Sequence, residues 1–408
     1  MQRRENLLYV GLDLHKQTHT AVLVNCWNEK LAAIVIENKP SAFKKLAEKV
    51  NKKANQLGLY PIYGLENACG YGRSLAVWLV EKGCIVKDVN ASLAYNQRKS
   101  APMMSKNDEY DAYAVATVLI NQLHKLPDAN PTDHYWTLAQ LVNRRDIIVK
   151  DGIRLKNGIH EQLMSAYPNY HKFFSEIDGK CAMYFWKTYP SPSHLENKTA
   201  EELTEELKEI SKSFRKDKAE LILDCVRSDG NTYRDYQESR DFITRGLVKD
   251  LEHQKATIAE MDKEIERMLL CFDYKLTTMP GIGTAVASKL IAEIGDIRRF
   301  PNADKLARYA GVAPVKFSSA EKGKEQSSRQ GNRQLHGLFY MLAITMVAVP
   351  KSGRPNHPVF HAYYMRKISE GKTKSQALFC IMRRLVNIVF GMMKNRTEYR
   401  EPVTQEER

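Results

Sequence analysis

Short apolar runs rich in β-branched and aromatic residues fill the start of this chain. Long charged segments with an apolar residue every third or fourth position fill the rest. The runs 7–14 and 20–24 are separated by the polar stretch His15 to His19, a hairpin pattern, and Lys30 to Glu37 predicts a third strand. Pro40-Ser41 opens a helix that carries Phe43, Leu46, Ala47 and Val50 at helical spacing. A strand ending at Glu66 follows. Then come a helix over 71–82 stopped by Gly83, a strand over 84–89 and a helix beginning at Asp108; Pro127, Asn130 and Pro131 mark a linker. Beyond Trp136 the pattern predicts long helices over 136–163, 200–222 and 241–272. The last has Leu247, Leu251, Ile258, Met261, Ile265 and Met268 three, four or seven apart. After Met279-Pro280-Gly281-Ile282-Gly283 it predicts helices over 284–294 and 302–309, a loop over 311–331, and apolar helices over 335–349 and 374–394.

Three strands, then helix, strand, helix, strand, helix is the order of an RNase H-like α/β domain, here 1–126. The region 127–275 is expected to be a helical linker with a coiled-coil-like seam. That seam is satisfied equally by a dimerising coil and by a helix packed inside its own domain. The aromatic, proline-rich stretch 164–199 interrupts the linker and has no assigned role. Residues 276–400 are expected to form an all-α domain, and Pro280-Gly281-Ile282-Gly283 at its start is like half of a helix-hairpin-helix. Backbone N–H groups at such a helix start hold a phosphate without reading sequence, although a plain glycine turn fits the same residues.

Composition narrows the partners. At 408 residues there is room for two or three domains. Lysine and arginine number 62 against 48 acidic residues, a net charge of +14 that favours a polyanionic partner. The seven cysteines form no C-x-x-C pair and are expected to be reduced. His357 and His361 stand four apart with no third ligand near them. The polar start leads at once into a strand, and the stretch Leu335 to Val349 is shorter than the ~20 residues that span a bilayer. A soluble, cytoplasmic protein with no membrane partner is expected.

The chemistry is expected from acidic residues. Asp13 closes the run Leu7 to Leu12, and Glu66 closes Tyr60 to Leu65. An acid that ends a buried strand needs a partner or a metal. Asp108 and Asp111, three apart, project from one helix face, although Asp108 alone would also serve as a cap. Four such carboxylates suit Mg2+, which takes hard oxygen ligands and, in pairs, clamps both oxygens of a phosphoryl displacement.

These residues carry a resemblance. G-L-D-L-H-K at 11–16, L-E at 65–66 and K-N-D-E-Y-D-A-Y-A-V-A at 106–116 resemble the DEDD transposases of bacterial insertion sequences, the group of insertion sequence 110 and the Piv DNA invertase. M-P-G-I-G at 279–283 with its continuation to 301, L-A-R-Y-A-G-V-A-P at 306–314 and Q-G-N-R-Q-L at 330–335 are similar to that family's C-terminal domain, and L-K-N-G-I-H at 155–160 to its linker helix. The resemblance implies a RuvC-like domain whose Asp13, Glu66, Asp108 and Asp111 hold Mg2+, a coiled-coil linker, and a helical domain that contributes a serine nucleophile. It implies site-specific recombination in which a structured non-coding guide RNA pairs with donor and target double-stranded DNA.

The family's serine lies in a Ser-Ser-Gly stretch, which here reads Ser318-Ser319-Ala320, so Ser319 is the expected nucleophile with Ser318 in reserve. Gln330 stands where an arginine is frequent. Gly281, Gly283, Lys106, Lys322, Lys324, Arg329 and Arg333 are the positions expected to meet nucleic-acid backbone, in a nucleoid-associated homo-oligomer. A coil seam and four strand cuts point to a dimer of dimers. A RuvC-like nuclease or junction resolvase would use the same quartet with activated water, and a non-catalytic RNA-binding protein would not need it. An actin-like sugar kinase shares G-L-D-L, but His15-Lys16-Gln17 lacks its glycine and hydroxyls.

Overall fold

The computed structural model describes residues 3–66, 70–100, 107–129, 131, 133–313, 315–317, 324–326 and 331–401, which fall into two compact units, 1–136 and 137–408. The first unit is built on a five-stranded sheet. Its strands are β1 (Leu7–Leu14), β2 (Thr18–Val24), β3 (Lys30–Glu37), β4 (Tyr60–Glu66) and β5 (Ile85–Val89), in the spatial order β3-β2-β1-β4-β5. The first three form an antiparallel meander, while β4 and β5 join β1 in parallel. Helix α1 (Pro40–Leu57) makes the crossover from β3 to β4, and α2 (Arg73–Glu81) the one from β4 to β5. Helices α3 (Ala91–Lys99) and α4 (Asp108–Gln122) follow β5.

β1 is central and covered on both faces, which is why its sequence is a continuous apolar run and not an alternation. Leu8, Val10 and Leu12 pack with Phe43, Leu46 and Leu75 from α1 and α2. Leu7 and Tyr9 face the other way, onto Ala112, Val115 and Leu119 of α4. α3 does not register in the hydrophobic pattern: it buries Ala94 and is otherwise polar, and Asn90 caps it by accepting from Ser92 N at 2.8 Å.

The second unit is helical. α5 (Asp133–Ala166), which begins in the first unit, leads to α6 (Lys180–Thr188), α7 (Ala200–Ile210), α8 (Lys216–Asp229) and α9 (Gln237–Leu269). The helix expected over 200–222 is two helices, because Ser211 is extended and Phe214 turns in against the core. The stretch 164–199 supplies that core: Tyr167, Phe173, Phe185, Trp186 and Tyr189 are buried, with Phe173 stacked on Trp186 at 5.8 Å between ring centres. α9 runs antiparallel to α5 of the same chain. Arg145 pairs with Asp262 near one end, and Gly158 faces Leu247 near the other. Leu251 is fully packed in this seam, while Ile258 and Met261 are half-buried. Ile153, on the apolar pattern of α5, is instead exposed, and Gly152 takes the buried position beside Leu251.

α10 (Thr284–Ile294), α11 (Ala303–Tyr309), α12 (Arg333–Val347), α13 (Pro358–Ser369) and α14 (Lys374–Asn395) complete the unit. The expected loop 311–331 contains a short antiparallel ladder between β6 (Val315–Phe317) and β7 (Lys324–Gln326). By length and composition α14 is long and apolar enough to cross a membrane, more so than the stretch 335–349; half of it is buried within the unit, through residues such as Ile381, Leu385 and Val389.

Candidate metal centre

The site grows out of a repeated tripeptide. β1 carries Gly11-Leu12-Asp13 one residue before its end and β4 ends in Gly64-Leu65-Glu66, and the parallel register pairs Gly11 with Gly64 and Leu12 with Leu65. The leucines point into the α1–α2 core, so the glycines and acids share the opposite face, under α4. A Cβ on Gly11 would lie 2.2 Å from the Ala112 carbonyl oxygen and 2.4 Å from Ala116 N. The α4 backbone therefore rests directly on β1, and no side chain larger than hydrogen fits between them. At Gly64 the corresponding neighbour is the Leu119 side chain at 3.2 Å. This contact sets the first turn of α4 over the strand ends. Asn107, not Asp108, caps the helix, accepting from Tyr110 N at 2.7 Å. Asp108 is thus released from capping, and Asp111 lies one turn further along.

Four carboxylates meet the imidazole of His15 and the guanidinium of Arg98 there. Asp13 and Asp111 are 8 % and 9 % exposed, Glu66 is half-buried and Asp108 is exposed. His15 Nε2 lies 2.9 Å from Asp13 Oδ2 and 3.4 Å from Asp108 Oδ1. Arg98, on α3, places Nη1 3.4 Å from Glu66 Oε2 and Nε 3.5 Å from Asp111 Oδ1. Burial pushes the Asp13 carboxyl above its ordinary value, and Asp111 and Asp108 add to this against the opposing pull of His15. Glu66 is likewise raised by burial, with Arg98 opposing and Asp13 and Asp111 reinforcing.

Asp13 Oδ2 and Asp111 Oδ1 are buried, and among the described residues the basic groups nearest to them are His15 Nε2 and Arg98 Nε. Four clustered carboxylates, two of them buried, are costly unless cationic charge offsets them, and one arginine and one imidazole do so only in part. A set of hard oxygen donors of this kind fits a divalent ion of the magnesium class. Ligand atoms of Asp13, His15 and Asp108 also come within 4.8 Å of one another.

The other expected positions lie in the second unit or outside the described residues. Gly281 (φ +81°) and Gly283 shape the exposed turn before α10, and a Cβ on Gly281 would meet Met346 Cε at 3.1 Å. Arg333 is exposed at the start of α12. Lys324 lies in β7. Lys106, Ser318, Ser319, Lys322 and Arg329 are outside the described residues. The base of the serine segment is held closely: a Cβ on Gly331 (φ +127°) would lie 2.7 Å from Gly311 N, and Asn332 N donates to Tyr309 O at 2.7 Å. His357 and His361 are engaged separately, with Tyr399 OH and with Val347 O, each at 2.8 Å. Two residues escaped sequence reasoning. His15 follows Asp13 in G-L-D-L-H-K and carried a signal; Arg98 sits on an unforeseen helix and carried none.

Residues 10–168 match a family model described as transposase, of the DEDD IS110 type, and residues 273–365 match the Transposase IS116/IS110/IS902 family. An insertion element IS116 protein of 44.8 kDa from Streptomyces clavuligerus is 26% identical over 414 residues, covering 99% of this chain and 100% of the relative. An insertion element IS110 protein of 43.6 kDa from Streptomyces coelicolor is 24% identical over 399 residues, covering 96% and 95%. The pilin gene-inverting protein of Moraxella lacunata is 31% identical over 170 residues, 40% of this chain and 51% of that protein. One match spans the carboxylate cluster and the other the helices flanking the β6–β7 ladder, and with them the chain belongs to the IS116/IS110/IS902 family of transposases, enzymes of DNA recombination.

Proposed function

We propose that this transposase cuts and rejoins DNA strands with Mg2+ held by Asp13, Glu66, Asp108 and Asp111, and with Ser319 as nucleophile. In this reading the first unit is an RNase H-like, RuvC-like domain, which the strand order β3-β2-β1-β4-β5 supports. Residues 127–275 form the linker and 276–400 the domain that brings the serine. A structured guide RNA selects donor and target DNA by pairing, the protein acts as a dimer of dimers, and its place is the cytoplasm, at the nucleoid. The observation that carries the reading is the four-carboxylate cluster at the strand ends, in which, among the described residues, the buried Asp13 and Asp111 are met only by His15 and Arg98.

Magnesium, when bound, supplies a clamp for the phosphodiester oxygens and offsets the charge that develops in displacement. The protein's own groups prepare the place. Asp13 and Asp111 present carboxylates that little water reaches, and Arg98 keeps the Glu66 and Asp111 carboxylates oriented. As Ser319 Oγ bonds to phosphorus, the P–O bond to the departing strand breaks. The hydroxyl proton passes to solvent and the departing oxygen takes one up. The phosphoserine keeps the bond energy, so attack by a strand end reverses the step without an external energy source.

Asp13→Asn and Asp111→Asn are expected to lower recombination by more than the ~100-fold typical of losing a supporting partner, with folding and nucleic-acid binding retained. Wild-type recombination in either variant would refute the metal assignment. Ser319→Ala is expected to leave no phosphoserine on a suicide substrate when the trapped adduct is read by mass spectrometry. An adduct on Ser318 moves the role by one residue, and cleavage without any adduct favours a nuclease using activated water. Exchanging the pairing loops of the guide RNA is expected to redirect the target; unchanged targeting would mean that the protein reads the DNA itself.

A further inference from the structure

The corner where α8 hands over to α9 carries a second polar site, far along the chain from the quartet. A cavity of about 340 Å3 opens beside an open cleft of about 540 Å3, and Ser193, Tyr233 and Gln237 line both. Its floor is built, not incidental. Asp241 is 4 % exposed, and its two oxygens accept from Ser191 Oγ and from Gln237 Nε2, each at 2.9 Å. Ser191 Oγ also lies 3.2 Å from His194 Nδ1, and the far nitrogen of that imidazole meets Arg245 Nη2 at 3.0 Å. Gln237, Asp241 and Arg245 recur every fourth residue and so present one face of α9 to the cleft.

The rim is aromatic and exposed. Tyr233 and Phe242, which line the cleft, are 61 % and 77 % exposed, and Tyr236, next to Gln237 in the chain, is 84 % exposed, although each would gain from burial. Tyr236 also holds φ +63°, a left-handed backbone that a bulky side chain rarely adopts, at the residue before α9. Exposed Arg234 and Arg240 interleave with these rings, and Arg245 lines the cleft beside Phe242. Flat apolar faces alternating with guanidinium groups suit unpaired bases joined by phosphates: rings stack on bases whatever their identity, and arginine meets phosphate or base plane. The hydroxyls and amides inside the cavity suit the hydrogen-bonding edge of one such base. A duplex, with its bases already stacked, offers this corner nothing to stack on.

We infer that this corner binds a single-stranded nucleic-acid segment, stacking unpaired bases on Tyr233, Tyr236 and Phe242 with one base edge turned into the cavity. The inference rests on the reading that the chain acts on nucleic acid, and it gives the insertion between α5 and α9 a role.

The test uses the full-length protein with labelled 12-nucleotide single-stranded RNA, single-stranded DNA and duplex DNA, followed by fluorescence anisotropy. Tyr233→Ala with Phe242→Ala is expected to weaken single-strand binding about tenfold or more and to leave duplex binding unchanged. A preference for the RNA strand would assign the site to RNA; equal loss on RNA and DNA would assign it to bases irrespective of sugar. Photocrosslinking wild-type protein to 5-iodouracil-substituted strands is expected to mark peptides within 233–242. Crosslinks elsewhere, together with undiminished single-strand binding by a folded double variant, would overturn the inference and leave the transposase reading intact. Wild-type protein that binds none of the three probes would instead refute the nucleic-acid reading on which it rests.

Discussion

Asp13 carries its charge where water is scarce and three other carboxylates are near, and this has a thermodynamic sign. Burial raises the folded-state pKa of Asp13 and Glu66 above their ordinary 3.8 and 4.5, so the folded chain binds these protons more tightly than the unfolded chain. Their ionisation therefore subtracts from stability as pH rises through the unfolded values toward the raised folded ones. Without divalent metal, Asp13→Asn is expected to stabilise the protein near neutral pH by on the order of 1 kcal/mol. The gain should shrink as pH falls toward 4, and saturating Mg2+ should reverse it by stabilising the wild type more. Melting curves between pH 4 and 8, with EDTA and with Mg2+, check this; a metal-free loss of stability at pH 7 would mean that the carboxylate makes structural bonds. At this scale sequence reading reached far. Asp13, Glu66, Asp108 and Asp111 announce themselves by ending apolar runs or sharing a helix face, and the structure gathers them in one place. His15 and Arg98 are different, since the use of a basic side chain is decided by which carboxylates the fold brings to it.

The helix that completes the cluster is positioned by a missing side chain. Gly11→Ala would set a methyl group 2.2 Å from the Ala112 carbonyl oxygen, a backbone atom that can move only if α4 moves. Gly64→Ala meets the ends of the Leu119 and Val89 side chains at 3.2 and 3.3 Å, which can turn aside. Gly11→Ala is expected to cost about 2–3 kcal/mol and to weaken Mg2+ binding, with Gly64→Ala clearly milder, as denaturant unfolding and metal titration would show. Equal effects would mean that α4 does not depend on this contact. Elements with a strong apolar period, α1, α9, α10 and α14 among them, were legible from sequence. α3 and α13 were not: each buries little, Ala94 in one and Phe360 in the other, so tertiary contacts rather than pattern decide them. The 200–222 segment misled because its period carries across a break made by Ser211.

For the whole molecule, the net charge of +14 is a statement about association, not about folding. If backbone contacts number between about six and ten, affinity for DNA should fall on the order of a thousandfold or more between 50 and 200 mM salt. A binding constant nearly flat in salt would show that the excess charge lies away from the interface. The sequence reading divides the chain into 1–126, 127–275 and 276–400, while the fold forms two compact units, 1–136 and 137–408. The role of the stretch 164–199 as an aromatic core was hidden, because aromatics and prolines without a period do not say what they pack against.

The Gly-Leu-acid repeat also bears on how freely this protein can change. The lateral gap between the ends of β1 and β4 is the spacing of neighbouring strands, about 4.8 Å, and the main-chain ladder dictates it, not the surrounding side chains. Core residues such as Leu8, Val10 or Phe43 can be exchanged for others of like volume without retuning that gap. A lineage is then free to rewrite most of the domain's interior while two glycines and two acids stay put, and the dimensions of the centre pass unaltered from one sequence to the next.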